Sequence, residues 1–275
     1  MNSKTEHSIR QLVAALPCDA APYRNLKDAH LKAREGVFIA EGVEVVRRLL
    51  ASRLEVCSLL VTENKLAQLS DDLRPGVPVF VGTLAEIEAV AGFNVHRGAL
   101  ACGRRPENAA FADVTAIADP GQPSLVVALE NVTDAINIGV IVRNAAAFGA
   151  SLVLLHRCCD AFYRRAVRTS MGNVFRVPLR VTEDLPGDLE RLHGEFGHTR
   201  VAAVTARDAA DISTVRAPAR AVLVFGAEGD GLSPTAVAAC DERVTIPMST
   251  GSDSVNVAVA SGIFLHRYAR GRATR

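Results

Sequence analysis

A glycine-rich loop near the C-terminus has the residue types to hold a ligand and act on it. An apolar run at 221–225 is followed by Gly-Ala-Glu-Gly-Asp-Gly, in which three glycines surround Glu228. Glycine lets a backbone approach a ligand closely or adopt a positive φ. An acid inside the loop makes it a poor cradle for phosphate, and the chain has no dinucleotide-binding or P-loop motif. The loop therefore predicts a pocket for a ligand other than a pyrophosphate.

A second stretch of the same kind follows directly. A short strand predicted at 243–246 ends in Pro247 and a loop rich in Ser, Thr and Gly. Ser254 and Asn256 then open an apolar helix predicted over 255–268. In open α/β sheets, ligands bind at the carboxyl ends of the strands. Two strand ends with small-residue loops therefore predict the two walls of one cleft.

A third stretch lies upstream, after an apolar strand predicted at 125–129. It carries Asn137, Gly139 and Arg143 on a predicted helix. Asn137 taken alone could equally be the N-cap of that helix. Helical spacing surrounds Arg143 with small or apolar residues, and a charge on such a face needs a partner or a purpose.

In this order, the three stretches resemble the motifs of the SpoU family of RNA ribose 2'-O-methyltransferases, part of the SPOUT class. The first motif matches Asn137, Gly139 and Arg143, the second matches 226–231, and the third matches 246–248 with 254–257. Each motif is weak alone, but three in order with the expected spacing are specific. The chain departs from the pattern at Thr250, where the family usually has Gly, and at Val255, where it has Leu. Both departures could alter the shape of the cofactor loop, but neither removes a polar functional group.

The resemblance implies S-adenosyl-L-methionine as the methyl donor and a ribose 2'-hydroxyl as the acceptor. No metal is implied. The catalytic residues carried over from the family are Asn137, Arg143, Glu228, Ser254 and Asn256, and the cofactor-binding residues are Gly226, Gly231, Ile246, Met248 and Val255.

The family pattern proposes Arg143 as the base, but an arginine side chain stays protonated in proteins. We therefore expect Arg143 to orient the hydroxyl or to pair with the adjacent RNA phosphate, and to stabilise the developing alkoxide. Glu228 would orient Arg143 or another polar partner.

The resemblance also implies an α/β fold with a trefoil-knotted, mainly parallel sheet, and a homodimer whose active site is completed across the subunits. Alternating apolar runs independently predict about six strands in the C-terminal half. Residues 1–105 predict a smaller α/β unit that resembles the ribosomal-protein-like, RNA-holding domain that precedes many SpoU catalytic domains. We expect a linker at 106–122 and a catalytic domain at 123–275.

Local patterns predict further elements and two basic surfaces. They include a short helix at 8–16 and strands at 174–179 and 201–205. Clustered basic residues at helical spacing are candidates for RNA phosphate contacts, although charge alone favours a solvated face. These candidates are Arg24, Lys27, Lys32 and Arg34 in the first cluster, and Arg164 and Arg168 in the second.

Composition limits the classes of function. The chain has 275 residues, a formal net charge of +1, no Trp and three Tyr. It therefore has no global basic field and little material for base stacking, so RNA binding needs local patches. The six cysteines form no Cys-x-x-Cys pair, which disfavours structural zinc and favours free thiols in a reducing cytosol. We also expect no secretory or membrane-spanning segment, and hence a cytoplasmic protein.

The leading hypothesis is methylation of 23S ribosomal RNA. A tRNA ribose 2'-O-methyltransferase is the nearest alternative, and the two-domain layout favours rRNA modestly. A non-catalytic RNA-binding or ribosome assembly factor on the same fold is a second class, which failure to bind S-adenosylmethionine would favour. The absent Gly-rich first turn disfavours an ordinary α/β enzyme with a nucleotide cofactor.

Overall fold

The computed structural model describes residues 9–11, 18–24, 26, 36–93, 95, 98–249 and 254–269. The chain divides into two compact units. Unit 1 comprises Met1–Glu107 and Ala161–Arg176, and unit 2 comprises Asn108–Asp160 and Val177–Arg275.

Unit 1 is built on a mixed sheet. Its described strands are β1 (Ile9–Gln11), β2 (Val37–Glu41), β3 (Val56–Val61), β4 (Val79–Val81) and β5 (Ala99–Arg104), in the spatial order β1-β4-β3-β5-β2. The β1 and β3 strands both run parallel to β4, which lies between them, whereas β5 is antiparallel to both β3 and β2. Helices α1 (Val43–Leu50), α2 (Glu63–Leu69) and α3 (Leu84–Ala91) connect the strands. This alternation agrees with the α/β unit predicted from the sequence.

The helix predicted at 8–16 is wrong over its described part. Ile9–Gln11 forms β1, which pairs in parallel with β4 through Ile9 and Val79. Three residues gain their backbone hydrogen bonds from a partner about seventy positions away, and local spacing carries no information about such pairing.

Tyr23 connects the N-terminal 3-10 helix of unit 1 to the sheet by hydrogen bonds. It ends a 3-10 helix at Cys18–Tyr23, and its side chain is fully buried. Its hydroxyl donates to the Ser58 carbonyl oxygen at 2.8 Å and accepts from the Cys102 backbone N–H at 3.0 Å. Burial raises the pKa of this phenol well above its ordinary value. The buried hydroxyl is therefore satisfied as a neutral group.

The segment Ala161–Arg176 packs within unit 1, although it is distant from the rest of that unit in sequence. It contains α6 (Arg164–Thr169). The rings of Phe162 and Phe175 lie 5.0 Å and 5.3 Å from the ring of Phe38 on β2. The domain boundaries expected from the sequence stay a prediction, and they differ from the compact units in assigning this segment to the catalytic domain.

Unit 2 contains a parallel sheet. Its described strands are β6 (Ser124–Glu130), β7 (Leu152–His156), β8 (Leu179–Thr182), β9 (Thr199–Ala203), β10 (Ala210–Asp211), β11 (Arg220–Phe225) and β12 (Glu242–Thr245). Their order is β10-β12-β9-β11-β6-β7-β8, and every adjacent pair is parallel. The predicted α/β class with a mainly parallel sheet is confirmed, while the knot stays a prediction.

Helices cover the sheet of unit 2. They are α4 (Thr115–Ala118), α5 (Ala135–Ala147), α7 (Leu185–Gly194), α8 (Pro234–Ala238) and α9 (Val257–Ala269). Val222 and Val224 of β11 belong to a core cluster with residues of α7, whereas the adjacent Phe225 packs edge-on against Phe264 of α9 at 5.5 Å. Successive side chains of a strand point to opposite faces, so β11 is buried on both sides.

Two predicted features differ locally in the structure. The strand predicted at 174–179 starts only at Leu179, because Asn173–Phe175 forms a 3-10 helix after Gly172, whose φ is +76°. Part of the segment expected as a linker at 106–122 is packed, since Phe111, Val114 and Ile117 are buried in the core of unit 2. Among the described residues, no helix is long and apolar enough to cross a membrane.

Candidate active site

The carboxyl ends of β9, β11 and β12 open onto one cavity of about 1000 Å³ in unit 2. These strands are neighbours in the sheet, so their following loops meet at the same edge. The residues predicted from the two C-terminal stretches all line this cavity: Gly226, Glu228, Gly231, Ile246, Met248, Ser254, Val255 and Asn256. The predicted cleft between the two loops is therefore present.

The three glycines of the 226–231 loop are required for different structural reasons. A Cβ on Gly226 would overlap the backbone of Gly231, which folds back against it. The Gly231 N–H donates to the Ala227 carbonyl at 3.2 Å and closes this turn. Gly229 and Gly231 have φ values of +94° and +68°, a region that residues with a Cβ rarely adopt. The loop is thus a tight turn that presents Glu228.

Three polar side chains form one hydrogen-bonded network beside the cavity. The Asn137 Nδ2 donates to Glu228 Oε1 at 3.1 Å, and the Asn256 Nδ2 donates to Asn137 Oδ1 at 3.0 Å and also to Glu228 Oε1. The Asn256 Oδ1 accepts from the backbone N–H of Ala258 at 2.9 Å and so caps α9. All three sequence motifs thus meet through these side chains.

Asn137 is not the cap of its helix. Asp134 caps α5, since its side chain accepts from the Ile136 N–H at 2.9 Å. Asn137 lies in the first turn with its side chain buried, and its amide is used by Glu228 and Asn256. The N-cap interpretation of Asn137 is therefore wrong.

Arg143 is separate from this network. It lies on the exposed side of α5, and it forms no hydrogen bond or ion pair with the residues that the structure describes. It is also absent from the cavity wall. Its helical neighbours are small or apolar as expected, but this position on α5 faces solvent, so the charge needs no partner within the chain. Within the described chain, the Glu228 carboxylate is hydrogen-bonded to Asn137 and Asn256 and not to Arg143.

The remaining predicted residues have varied surroundings. Ser254 is exposed on the cavity wall, just before α9. In unit 1, Arg24 lies in an exposed turn. Arg164 donates to buried Glu41 at 2.6 Å and stacks over the Phe93 ring at 3.7 Å, and Arg168 lies 3.6 Å from Glu41. Both arginines therefore neutralise a buried carboxylate. Lys27, Lys32 and Arg34 lie outside the described residues.

Sequence reasoning missed some residues of the site. Residues 203–206, which are the last residue of β9 and the start of the loop after it, supply a third wall of the cavity, and Phe225 and Phe264 supply aromatic surface. Glu130 at the end of β6 is buried and accepts hydrogen bonds from Ser233, two residues after the glycine loop. The end of the predicted strand near 205 was a usable signal for the third wall. The partner of Glu130 is a hundred residues away and left no local signal.

Chemically, the arrangement combines an adaptable ligand pocket with a fixed carboxylate. The cavity offers glycine backbone, apolar walls and two acids, Glu228 and Asp230. Arg243 also lines it, but its guanidinium is paired with the carboxylate of Asp208. Glu228 Oε1 is held by two amide donors, whereas its Oε2 makes no hydrogen bond with the described residues. A carboxylate oriented in this way can accept a hydrogen bond from a hydroxyl or stabilise a cationic ligand.

Comparison with known proteins identifies the family. The model of the SpoU rRNA Methylase family matches residues 124–266. A protein of Mycobacterium bovis called an uncharacterized tRNA/rRNA methyltransferase is 39% identical over 245 residues, which cover 87% of this chain and 83% of the relative. One from Mycobacterium ulcerans is 32% identical over 240 residues, covering 86% and 71%.

Solved structures share the fold. An rRNA methyltransferase from Sinorhizobium meliloti, solved with AdoMet bound, aligns with a TM-score of 0.79 at 24% identity, covering 97% of this chain and all of that one. The SpoU methyltransferase AviRb from Streptomyces viridochromogenes, in complex with AdoMet, aligns with a TM-score of 0.80 at 20% identity, covering 93% and 99%. From the motifs, the family match and these relatives, we conclude that this chain belongs to the SpoU rRNA methylase family.

Proposed function

We propose that this protein is an S-adenosylmethionine-dependent RNA methyltransferase that modifies a ribose 2'-hydroxyl, with 23S ribosomal RNA as its substrate. The observation that carries the proposal is the network of Asn137, Glu228 and Asn256 beside a cavity of about 1000 Å³. The network joins all three family motifs at one point. The printed names of the relatives include tRNA as well as rRNA, so tRNA is the second candidate substrate.

The cavity suits S-adenosylmethionine by its chemistry. Ile246, Met248 and Val255 give apolar walls for a purine, and backbone groups at Gly226 and Gly231 give hydrogen-bonding sites. The two carboxylates of the wall match a ligand that carries a sulfonium and an ammonium group. When bound, this cofactor supplies an activated methyl group.

The chain's own residues would position the acceptor and manage its proton. Glu228 Oε2 makes no hydrogen bond with the described residues, so it can accept the hydrogen bond of the ribose hydroxyl. Asn137 and Asn256 hold that carboxylate in place, and Ser254 adds a hydroxyl on the same wall. Attack on a sulfonium neutralises charge, so orientation and proton removal account for most of the rate gain.

Arg143 would act in a homodimer. It is exposed and has no partner among the described residues, so it is available to the site of a second copy of the chain. Helices α5 and α9 pack together, with Asn144 Nδ2 donating to the Ala258 carbonyl at 2.9 Å. Their exposed sides carry Ile136, Val259 and Ile263, which are 44%, 54% and 39% exposed. Burying these side chains against a second copy would stabilise the dimer that brings Arg143 to the partner's site.

A methyl-transfer assay tests the proposal. Purified protein is incubated with methyl-labelled S-adenosylmethionine and, separately, with 23S rRNA and tRNA that lack the modification. We expect label in the rRNA, a loss of at least about 100-fold with Arg143→Ala, and incomplete recovery with Arg143→Lys because lysine lacks the planar fork. Arg216→Ala is the matched control, since Arg216 is also exposed in unit 2.

Each other outcome contradicts a defined part of the proposal. Label only in tRNA would overturn the substrate. Full activity of Arg143→Lys would refute a role that depends on the guanidinium geometry. No transfer to either RNA from folded, dimeric protein that also fails to bind S-adenosylmethionine would favour an RNA-binding or assembly factor.

A further inference from the structure

Glu130 occupies a position where two parts of the site are joined. It is the last residue of β6, and the preceding Leu129 pairs in register with Phe225, the last residue of β11. The loop after β6 leads to α5, which carries Asn137. The loop after β11 carries Glu228. Glu130 therefore lies at the origin of one loop and directly beside the origin of the other.

The Glu130 carboxylate is buried and bonded to one residue. Only 5% of the surface of Glu130 is exposed to solvent. Its Oε2 accepts the backbone N–H of Ser233 at 2.8 Å, and its Oε1 accepts the Ser233 hydroxyl at 2.8 Å. If the buried carboxylate lost these donors, the cost of removing its charge from water would no longer be offset. The hydrogen bonds therefore strongly favour the present position of Ser233.

Ser233 connects Glu130 to the C-terminal end of the glycine loop. Its Oγ accepts from the Ala236 N–H at 3.1 Å and so caps α8, while its proton is donated to Glu130. Ser233 follows Leu232 and Gly231, whose backbone folds against Gly226. The far end of the loop is thus held by Glu130, and the near end is held by β11. Both anchors fix where Glu228 lies relative to Asn137.

We propose that Glu130 is a positioning residue for the methyltransferase site. It holds the glycine loop in the position where Glu228 can form its hydrogen bonds with Asn137 and Asn256. The inference rests on the proposed function only for its catalytic consequence. Its structural consequence, the order of the 226–233 loop, is measurable in the protein without ligand.

The experiment compares Glu130→Gln with Asp188→Asn. Asp188 is a matched control in unit 2, because it is 6% exposed, accepts two hydrogen bonds from Arg180 at 2.9 Å and 3.3 Å, and lies outside the cavity wall. Amide hydrogen exchange is followed by mass spectrometry on the full-length protein, well below the unfolding temperature of each variant. We expect exchange in the peptide covering 226–237 to accelerate by about tenfold in Glu130→Gln and to stay unchanged in Asp188→Asn.

Ser233→Ala and the double variant separate positioning from simple destabilisation. Since Glu130 and Ser233 act through one interaction, the double variant should exchange no faster in this loop than the more affected single variant. In active protein, Glu130→Gln should lower kcat/KM by about tenfold or more, while Asp188→Asn retains wild-type kcat/KM.

The outcomes are distinguishable from failure of the proposed function. Equal loop exchange in wild type and Glu130→Gln would overturn the inference, whether or not the protein methylates RNA. Faster loop exchange together with unchanged kcat/KM would also overturn it, because the loop order would then be irrelevant to the reaction. Wild-type protein that neither binds S-adenosylmethionine nor transfers methyl groups would refute the proposed function alone.

Discussion

At the scale of single residues, the site divides its polar groups between two environments. Asn137 and Asn256 are committed to Glu228 within the chain, whereas Arg143 is exposed with no described partner. Held donors and acceptors need no reorganisation during a reaction, which is the basis of electrostatic preorganisation. A free guanidinium suits a group that meets its target only when RNA or a second subunit is present.

Gly226 should not tolerate a side chain. A Cβ at this position would overlap the backbone of Gly231, so Gly226→Ala must displace the loop, at about 1–3 kcal/mol. We expect the dissociation constant for S-adenosylmethionine, measured by calorimetry, to rise by about tenfold or more. Gly194→Ala is the control, because its added Cβ would come no closer than 3.9 Å to a neighbour. Equal affinities of the two variants would show that the tight turn does not shape the pocket.

The thiols should differ sharply in reactivity. The hydrogen bond with the Cys102 side chain lowers the pKa of Cys57 to about 7, whereas burial raises the pKa of Cys158 to about 11 and of Cys240 to about 12. The thiolate is the nucleophile, so iodoacetamide at pH 7 should label Cys57 well before Cys158 and Cys240. Peptide mapping over time gives the order. Comparable rates at Cys57 and Cys158 would contradict these environments.

At this scale, the sequence predicted the residue types of the site well and their partners less well. The candidate site residues of the C-terminal stretches all line the cavity, and they could be found because the motifs consist of particular residue types at fixed local spacing. The contacts of Glu228 with Asn137 and of Glu130 with Ser233 span 91 and 103 residues. Such contacts depend on strand order, which local patterns do not encode.

At the scale of elements, the strand order brings the three walls of the cavity together. The β9 strand lies between β11 and β12, so the ends of these three strands are adjacent although they are separated in sequence. Asp241, just before β12, fixes that strand to β9. Its carboxylate accepts the Arg200 backbone N–H at 2.8 Å and the Arg200 Nη2 at 2.7 Å.

The stabilisation by Asp241 should be lost in acid. Hydrogen bonding to the Arg200 side chain lowers the pKa of Asp241 below its ordinary value. A carboxylate with a lowered folded-state pKa stabilises the fold above its unfolded pKa, and this contribution is lost as the pH falls through the folded pKa. Asp241→Asn should therefore reduce the free energy of unfolding by about 1 kcal/mol at pH 7, a value kept small because the group is partly exposed.

Urea denaturation of Asp241→Asn and wild type at several pH values measures this effect. The difference between the two proteins should begin to shrink below about pH 4, where the carboxyl of the unfolded wild-type chain becomes protonated, and should disappear as the pH falls through the lower folded-state pKa. A difference that stays constant from pH 7 to pH 3 would mean that the charge of Asp241 contributes nothing.

Elements with continuous apolar runs were predictable, and elements defined by distant pairing were not. The β6, β7 and β11 strands are buried on both faces and appear as unbroken apolar stretches. In contrast, the three-residue β1 is a strand only because β4 lies beside it. The 3-10 helix at Asn173–Phe175 depends on the positive φ of Gly172, which apolar spacing does not reveal.

At the scale of the whole molecule, the proposed dimer explains the exposed apolar residues of α5 and α9. Val259 is 54% exposed and Ile263 is 39% exposed on α9, beyond its contacts with α5. Such side chains are compatible with an interface that also contains Arg143. A net charge of +1 places the affinity for RNA in local basic surfaces rather than in a global field.

Val259→Glu should dissociate the dimer. Burying an unpaired carboxylate in an apolar interface is unfavourable by several kcal/mol, so light scattering after size exclusion should show a monomer at micromolar concentration. Leu84→Glu is the matched control, since Leu84 is 45% exposed in unit 1 and should leave the dimer intact. A dimeric Val259→Glu variant would exclude this face as the interface.

The composition and motifs of the sequence predicted the parallel α/β class, but the full architecture was beyond them. The membership of Ala161–Arg176 in unit 1 depends on the packing of Phe162 and Phe175 against Phe38, more than 120 residues away. The predicted knot and dimer come from the family resemblance alone, because apolar spacing carries no information on chain threading or on a second copy.

The identity of the methylated atom distinguishes ribose 2'-O-methylation from base methylation. RNA from cells that lack this protein is methylated in vitro with labelled S-adenosylmethionine, digested to nucleosides and analysed by mass spectrometry. We expect a label that remains with the ribose after the glycosidic bond is broken, and no label with Arg143→Ala. A label that stays with the base would contradict ribose 2'-O-methylation and would assign a different chemistry to the site of Asn137, Glu228 and Asn256.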